Sequence, residues 1–452
     1  GGMSGGLGDG PLRDRLSREL TLTDATFLLV ASVIGAGIFL TPGRVAELLP
    51  HPGWIFAAWT LGALLSVAGA LANGELATMF PRAGGDYVYL REGIHPIAGF
   101  LVGWLTFFAI YAGTIATLAV GFAERVGTRL GFSEGGVLSL AVGVTVATSA
   151  LNYIGVRWGA RANNITSVVK VAALLMFVVL GPLIGTGEVE RLVASPAEPE
   201  FQFSASAFGL AMSPILFTFL GWNAAVYVGS EIRDPSRNLP RSLFLGLGIC
   251  TVVYLLVNAV YLYALPIGEL ANAPDAGEAA AAALFGPVGG TILAIFVLVS
   301  ILGTLNATVL VGPRIAYAMS LDGLFFRGAE EVHEKYGTPS GAILLQGFVA
   351  VGLLVMLRSF PSALDFTTFA VVLATSADVV ALYLLRRRQP DRPRPYRAWG
   401  YPILPGLYLA ANLAIAGAMI WGSPLECAIG VGLLLAGLPF YLLFRRRSAR
   451  AN

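Results

Sequence analysis

Two short stretches inside long apolar runs have the composition of backbone that binds a charged ligand. The first is residues 35–37 (GAG), in the middle of the apolar segment 27–43, and the second is 220–223 (LGWN), within the run 207–230. Glycine costs roughly 1 kcal/mol relative to alanine inside a helix, so a continuous helix gains nothing from it. A broken helix exposes N–H and C=O groups, which persist inside a membrane only where they line a cavity or bind something. The pair therefore predicts two helix breaks that share one binding site.

Backbone groups at the first break have the polarity to hold the two charges of an amino acid. The N–H groups of Ala36, Gly37 and Ile38 are expected at the positive end of the half-helix that follows, where a carboxylate is stabilised. The carbonyls around Val33 and Ile34, at the end of the preceding half-helix, suit a cation such as an α-ammonium. These five residues are therefore candidate substrate-binding positions. A glycine face for helix packing is the alternative explanation.

The second break offers acceptors from the other half of the chain. The carbonyls of Phe217 and Leu220 are further candidates for the ammonium of a zwitterion held between two facing breaks. Phe217 lies one turn before the break, so its ring belongs either to the core or to a gate over the substrate. The neighbouring aromatic residues, Trp222 and Tyr254, are interpreted as core.

Lys170 is the sharpest single signal, because it lies inside the apolar fifth span, in NNITSVVKVAALLMFVVL. A charged side chain within a membrane is costly and marks a functional site by default. Its expected partners are carbonyls at the first break and a hydroxyl of the eighth span, Ser300 or Thr304. A fixed ammonium there would do the work of a sodium ion by bracing the helices. A lysine that snorkels to the surface and a titrating proton carrier stay open as alternatives.

Three carboxylates lie at some depth in the predicted spans. Asp378 is about two turns from the arginines at 386–388, and pairing with them is the simplest interpretation. Glu75 and Glu231 lie near the ends of the second and sixth spans, where ion pairs with loop arginines are plausible as gates.

Composition identifies an integral membrane protein. The 452 residues are 56% hydrophobic and 12% charged, with a mean hydropathy of +0.74, whereas soluble domains carry about 25% charge. The net charge of +2 favours no nucleic-acid partner. The two cysteines and three histidines are scattered (Cys250, Cys427, His51, His95 and His333), which predicts no metal site, and no cofactor is expected.

Apolar runs of about 20 residues predict an all-α polytopic fold of about twelve transmembrane helices. The runs are 22–49, 54–79, 94–126, 136–154, 162–185, 204–232, 241–265, 287–320, 341–357, 361–385, 402–421 and 424–444. The breaks at Gly35 and Gly221 are 186 residues apart, so two five-helix halves enter the membrane in opposite orientations. The predicted divisions are a flexible cytoplasmic N-terminus (1–20), a first repeat (21–186), a second repeat (187–389), and two further helices with a cytoplasmic C-terminus (390–452).

The distribution of basic residues predicts the orientation. With the N-terminus inside, 23 of the 29 lysines and arginines fall on the cytoplasmic side, so both termini are expected in the cytoplasm. The alanine-rich end of the loop 266–286 is expected to form a short helix, either a lid over the outer mouth or a plain connector. The basic, proline-rich segment 386–397 separates the first ten helices from the last two.

Several of these stretches resemble the amino acid–polyamine–organocation (APC) superfamily, most closely its L-amino-acid-transporter branch. They are VIGAGIFLTPG, ELATMFPRAGGDYVYL, NNITSVVK, FTFLGWNAAVYVGSEIRDPSRNLPRS, YGTPSGAILLQ and RPYRAWGYPILPGLYL, and the resemblance runs from about residue 20 to the last spans. It implies the LeuT-type 5+5 inverted repeat with two extra helices. It also implies sodium-independent amino-acid transport by alternating access.

The resemblance assigns roles by position. The carboxylate would bind the backbone N–H groups of the first break, and the ammonium would bind at the carbonyl positions of both breaks, with Phe217 as gate. Asn223, after the motif tryptophan, would line the pocket, and Lys170 matches the lysine that occupies the sodium position of sodium-coupled relatives. The first set is Ala36, Gly37 and Ile38, and the second is Val33, Phe217 and Leu220.

Three departures from the family pattern bear on these roles. The usual G-S-G of the first break is G-A-G here, so a hydroxyl is missing while the backbone donors remain. The loop VGTRLGFSEGG has no cysteine of the kind that bonds a heavy subunit, so no heavy-chain partner is expected. Leu220 replaces a motif glycine, and Val372 aligns where large-substrate members have an aromatic residue, so substrate size is not defined.

Together these features predict a transporter, not an enzyme, located in the plasma membrane as a multi-pass protein. The leading hypothesis is an exchanger of small or medium neutral L-amino acids. The alternatives are a proton-coupled symporter, with Lys170 or Asp378 titrating, and a cationic amino-acid or polyamine transporter of the same superfamily. A sensor with a transporter fold also stays open.

Overall fold

The structure is a computed structural model of the chain. It describes residues 21–451 apart from 81–83, 155, 194–201, 224–225, 227–231, 327, 330 and 332–338, and the side chains of 156–167 and 448–451 are outside the description as well. The predicted flexible N-terminus (1–20) and the predicted gate residue Glu231 lie outside the described residues.

In the first half of the chain, the described residues form nine α-helices and a short π-helical segment. The helices are α1 (Leu22–Val33), α2 (Gly37–Leu40), α3 (Pro42–Leu48), α4 (Pro52–Met79), α5 (Asp86–Gly93), α6 (Pro96–Leu105), α7 (Ala112–Leu130), α8 (Glu134–Ile154) and α9 (Val156–Ile184). The π-helical segment, Thr106–Tyr111, joins α6 to α7 in one continuous span.

The second half begins after a short 3₁₀ turn, Val189–Leu192. The helices of its described residues are α10 (Ala205–Phe219), α11 (Pro235–Ala264), α12 (Ile267–Ala271), α13 (Ala276–Val311), α14 (Pro313–Leu321), α15 (Ser340–Leu357), α16 (Phe360–Arg388), α17 (Ile403–Gly422) and α18 (Pro424–Ala451). Gly286, at φ 80°, interrupts α13, so the alanine-rich residues before it form the short helix that the sequence predicts.

Length and composition confirm the all-α polytopic membrane fold. Ten helical stretches in the described part of the chain are long and apolar enough to span a membrane, and two shorter apolar helices, Val168–Ile184 and Ala205–Phe219, occupy the predicted fifth and sixth spans. Large apolar side chains such as Phe348 (78% exposed) and Trp421 (86% exposed) lie on the outer surface, where lipid would cover them. The fold therefore has about twelve transmembrane helices.

Two of these spans are interrupted where the sequence has its glycine-containing stretches. Helix α1 ends at Val33 and α2 begins at Gly37, while α10 ends at Phe219 and residues 220–223 are not helical. Gly221 has φ +117°, a conformation that side chains with a Cβ atom rarely adopt. A Cβ atom added at Gly221 would lie 2.6 Å from the Ser32 carbonyl oxygen, so the two breaks are in direct contact.

The basic segment 386–397 is folded against the bundle. Arg386 binds Glu75 of α4 with both ends of its guanidinium (2.9 and 2.6 Å), and Arg394 Nε lies 3.2 Å from the same carboxylate. The backbone N–H of Ala398 donates to it as well (2.6 Å). Glu75 is fully buried, so the predicted ion pairing with loop arginines is confirmed for this residue and attaches the last helices to α4.

Candidate functional site

A cavity open to solvent lies where the two breaks meet, and its volume is about 810 Å³ when the adjoining open space is included. It extends along α1 and the last turns of α13. Its lining comes from the first break, the span Pro96–Leu130, α9, the second break and α13: Ala31, Ser32, Val33, Gly35, Ala36, Gly37, Ile110, Tyr111, Thr114, Leu118, Lys170, Phe217, Thr218, Leu220, Gly221, Asn223, Thr304, Ala307, Thr308 and Val311.

The N–H groups of the first break are available to a ligand. Residues 34–36 form no helical turn, and within the described structure the N–H groups of Ala36, Gly37 and Ile38 donate to no backbone carbonyl. All three residues are buried. Ala36 and Gly37 line the cavity, whereas the Ile38 side chain packs outside its lining. Buried donors without partners at the start of a helix are suited to an anion such as a carboxylate.

Tyr254 of α11 joins the carbonyl ends of the two breaks. Its hydroxyl lies 2.6 Å from the Val33 carbonyl and 3.1 Å from the Thr218 carbonyl. The ring is fully buried between Trp59 and Phe219, with ring centroids 5.9 and 5.1 Å away. The prediction that Tyr254 is a core aromatic residue is confirmed by its burial, but it did not include the bridging hydroxyl. The sequence indicates this role only by placing a polar atom within an apolar span.

Glycines allow this close approach of the breaks to their neighbours. A Cβ atom at Gly37 would lie 2.9 Å from the Thr218 Cα atom, and one at Gly35 would lie 3.0 Å from Thr304 Oγ1. Each contact leaves little or no room for a side chain. The glycines at these positions therefore set the spacing between α2, α10 and α13 around the cavity.

Lys170 lies in α9 with only 2% of its surface exposed, and it lines the cavity. Among the described residues its ammonium has no hydrogen-bond or ion-pair partner. The expected bond to Ser300 or Thr304 is not formed in this structure. The Ser300 hydroxyl is buried without a partner in the described chain, and the Thr304 hydroxyl donates to the Ser300 carbonyl at 2.9 Å. Thr304 lines the cavity with Lys170, whereas Ser300 is not part of the lining.

The candidates at the second break all reach the cavity. Phe217, Leu220 and Asn223 line it, and Phe217 is 7% exposed. The Phe217 carbonyl already accepts the N–H of Leu220 at 3.1 Å, so only its second lone pair is available to a ligand. Of the first-break candidates, Val33 lines the cavity, whereas Ile34 is buried at 1% exposure and lies outside the lining.

The π-helical segment contributes cavity residues that sequence reasoning missed. Ile110 and Tyr111, in its last turn, line the cavity together with Thr114 and Leu118 of α7. A π-helical turn shifts the helix face by one residue and is frequent at functional sites. Nothing in the apolar run 94–126 distinguishes this turn from ordinary helix.

The side of the breaks that carries α2 and α3 is tightly packed. The hydroxyls of Thr41 and Thr218 lie 2.7 Å apart, and Tyr261 donates to the Ile38 carbonyl at 3.1 Å. The segment 266–286 covers this side, since a Cβ atom at Gly43 would lie 3.0 Å from the Leu270 carbonyl oxygen.

A buried ion pair ties this covering segment to α7. Arg125 Nε lies 3.4 Å from Asp275 Oδ2, with side chains 8% and 4% exposed, and Arg125 also binds the Pro274 carbonyl. Burial raises the pKa of the Asp275 carboxyl, and the charge of Arg125 acts in the opposite direction. The pair therefore holds the loop against the bundle on the side away from α1.

The interpretation of Asp378 as a partner of the arginines at 386–388 is wrong for the described residues. Arg386 is occupied by Glu75, and Arg388 donates to the carbonyl of Ile94 at 3.2 Å. Asp378 is instead buried at 1% exposure, beside Asp86 and close to Asn73. Its carboxylate lies outside the cavity lining.

Comparison with known proteins agrees with this arrangement. The amino acid permease family profile matches residues 20–435. The chain is 30% identical to the serine/threonine exchanger SteT of Bacillus subtilis, over 96% of this chain and 98% of that one. It is 29% identical to the human large neutral amino acids transporter small subunit 2, over 95% of this chain and 80% of that one. Identity to the human b(0,+)-type amino acid transporter 1 is 27%, over 96% and 89%.

Proposed function

The chain belongs to the amino acid permease family, and on that basis we propose that it is a sodium-independent exchanger of neutral L-amino acids that works by alternating access. The family and its relatives are transporters of amino acids, two of which are described by name as an exchanger of serine and threonine and a carrier of large neutral amino acids. The specific substrate and the mode of coupling are the proposed parts.

One observation carries the proposal: Ala36 and Gly37, whose N–H groups are free in the described structure, line the same cavity as Val33 and Leu220, which lie at the carbonyl ends of the two breaks. A carboxylate held by Ala36, Gly37 and Ile38 satisfies three buried donors, and the α-ammonium then faces the carbonyls of Val33 and Leu220. Such a site binds both charges of an α-amino acid at once.

Lys170 supports independence from sodium. A buried ammonium beside the breaks already provides the positive charge that a bound sodium ion would supply, and it would repel a second cation. Hydrogen bonds from Lys170 to break carbonyls, Ser300 or Thr304 would then form in another state of the transport cycle. The rival mechanism is proton symport. Its first candidate for a proton carrier is the same Lys170 ammonium, and its second is the Asp378 carboxylate.

The charges of the lining bear on the substrate class. Among the described lining residues Lys170 carries the single formal charge, and no carboxylate is present to neutralise a cationic side chain. A polyamine or a cationic amino acid would add positive charge beside Lys170 without compensation. We therefore rank neutral substrates above cationic ones.

The proposed setting is the plasma membrane, with both termini cytoplasmic and no heavy subunit. The basic residues favour this orientation, under which the cavity extends toward the cytoplasm from the breaks. Both cysteines, Cys250 and Cys427, are buried free thiols and so are poorly placed to bond a partner. Transport by the purified chain alone would support independence from a partner.

Counterflow in proteoliposomes tests the proposal. Labelled L-alanine should enter vesicles loaded with unlabelled L-alanine, should not enter empty vesicles, and should enter equally with external sodium or choline. Concentrative uptake into empty vesicles under an inward proton gradient would replace exchange by symport. Absence of any stimulated uptake, with correctly inserted protein, would refute the transport claim for this substrate.

A further inference from the structure

The helix α13, which lines one side of the cavity, ends at a junction where its hydrogen-bond pattern is interrupted. Helix α13 ends at Val311, Gly312 follows, and α14 begins at Pro313. The Gly312 N–H donates to the Thr308 carbonyl at 3.1 Å, as in a regular helix. Proline has no N–H group, so Pro313 cannot donate to the Val309 carbonyl, which is the next acceptor in the same pattern. The backbone therefore leaves this carbonyl without its helical partner.

A side chain from another span reaches this carbonyl. Gln346 of α15 donates from Nε2 to the Val309 carbonyl oxygen at 3.4 Å. Gln346 is fully buried, and within the described structure its Oε1 atom has no hydrogen-bond partner. A buried amide costs free energy unless it is hydrogen-bonded, and an apolar residue would fill this position at lower cost. The bond to Val309 is thus the described contact that accounts for an amide at this point of α15.

The junction between α13 and α14 is packed around this amide and against the cavity lining. A Cβ atom at Gly312 would overlap Gln346 Oε1 and would lie 3.0 Å from the Tyr111 Cβ atom, so glycine allows the amide to approach the backbone. Tyr111 lines the cavity, and so do Thr308 and Val311 of α13. The positions of these lining residues consequently depend on how α13 continues past the junction.

We propose that Gln346 is a positioning residue for transport, which replaces the hydrogen bond that Pro313 removes from α13 and so keeps the cavity-lining turn of that helix in place. The inference goes beyond the proposed function but rests on it for the transport assay. Without the bond, the buried Val309 carbonyl is unpaired, and a helix bends most readily at proline. Thr308 and Val311 would then no longer be held in one position along the cavity.

The test is a double-mutant cycle on counterflow of labelled L-alanine, with rates normalised to the amount of monodisperse protein inserted. Gln346→Met keeps the length of the side chain and removes the donor. It should lower the initial rate or raise the half-saturating alanine concentration about fivefold or more. Pro313→Ala restores a backbone N–H for the Val309 carbonyl. In the Pro313→Ala chain, Gln346→Met should therefore change the same parameter by less than twofold.

Two further variants separate the lost bond from general repacking. Leu354→Met is the matched control, because Leu354 is a fully buried residue of the same helix, about two turns further along. It should exchange alanine at close to the wild-type rate. Gly312→Ala displaces the amide without changing Gln346, and it should reproduce the defect of Gln346→Met.

Two results would overturn the positioning role. One is a Gln346→Met variant that exchanges alanine within twofold of wild type, and the other is an equal loss from Gln346→Met in the Pro313 and Pro313→Ala chains. If the wild type shows no counterflow of alanine, the proposed function fails separately.

A second readout then replaces transport, and it also serves if Pro313→Ala alone is inactive. It is the rate at which a maleimide labels a Thr308→Cys variant of the purified protein, corrected for labelling of the chain without this substitution. Gln346→Met should change this rate more than twofold in the Pro313 chain and not in the Pro313→Ala chain. The same rate in all four proteins, or an equal change in both chains, would overturn the role of Gln346.

Discussion

Replacement of Gly221 by alanine should disable exchange, because this residue lies where the two breaks touch. Its φ of +117° is strained for any residue with a Cβ atom, which costs on the order of 1–3 kcal/mol. The new Cβ atom would also lie 2.6 Å from the Ser32 carbonyl oxygen, a backbone atom that cannot rotate away, and overpacking of this kind costs about 1–3 kcal/mol. The two costs add to about 2–6 kcal/mol. This corresponds to at least a 30-fold lower equilibrium constant for the conformation in which the two breaks touch.

The assay is the initial rate of alanine counterflow, normalised to the amount of monodisperse protein inserted. Two glycines elsewhere serve as matched controls. Gly131→Ala also has a positive φ (+69°) but no atom within 4 Å of the new Cβ, and Gly248→Ala lies in a helix with open space around it. Both should fold and exchange alanine at close to the wild-type rate. A Gly221→Ala variant that exchanges within twofold of wild type would refute the claim that the breaks must touch.

Three further substitutions test separate contacts. Tyr254→Phe removes the hydroxyl that lies between the Val33 and Thr218 carbonyls. We expect a lower affinity for alanine or a lower melting temperature, equivalent to about 1–3 kcal/mol. If neither the affinity nor the melting temperature changes, the bridging role of this hydroxyl is wrong. Glu75→Gln leaves the two buried arginine contacts without a charge partner, and we expect a lower melting temperature, equivalent to about 3–5 kcal/mol, measured by fluorescence-detected size exclusion. Asp275→Asn removes the charge that pairs with Arg125, and we expect it to loosen the covering segment on the α2–α3 side and to lower the melting temperature. An unchanged melting temperature would show that the ion pair does not hold the segment.

The spans and their interruptions could be predicted because they depend on local composition. Length and hydropathy fix where a helix can cross a membrane, and glycine at 35, 37 and 221 fits breaks in which two backbones approach closely. The candidate residues at the breaks could be predicted for the same reason, and they line the cavity except for Ile34 and Ile38, which are outside its lining. The division into two inverted repeats stays a prediction.

Contacts between distant segments could not be read from the sequence. Asp378 is close in sequence to the arginines at 386–388, and this suggested an ion pair. Arg386 instead binds Glu75 of α4. Its partner depends on which face of α16 it occupies and on how α16 packs against its neighbours. The bridging hydroxyl of Tyr254 likewise depends on α11 lying across both breaks. The bond expected from Lys170 to Ser300 or Thr304 is not formed among the described residues, and it could not be judged from the sequence because it requires side chains of two separate spans to approach each other.

The site predicts that both charges of the substrate are required, and competition by truncated analogues measures this most directly. L-alaninamide lacks the carboxylate that the N–H groups of Ala36, Gly37 and Ile38 would bind, and propionate lacks the ammonium. Neither compound, at tenfold the half-inhibitory concentration of L-alanine, should inhibit counterflow of labelled L-alanine. Inhibition by L-alaninamide as strong as that by L-alanine would show that the free donors of the first break do not hold a carboxylate, and would contradict the binding mode on which the whole account depends.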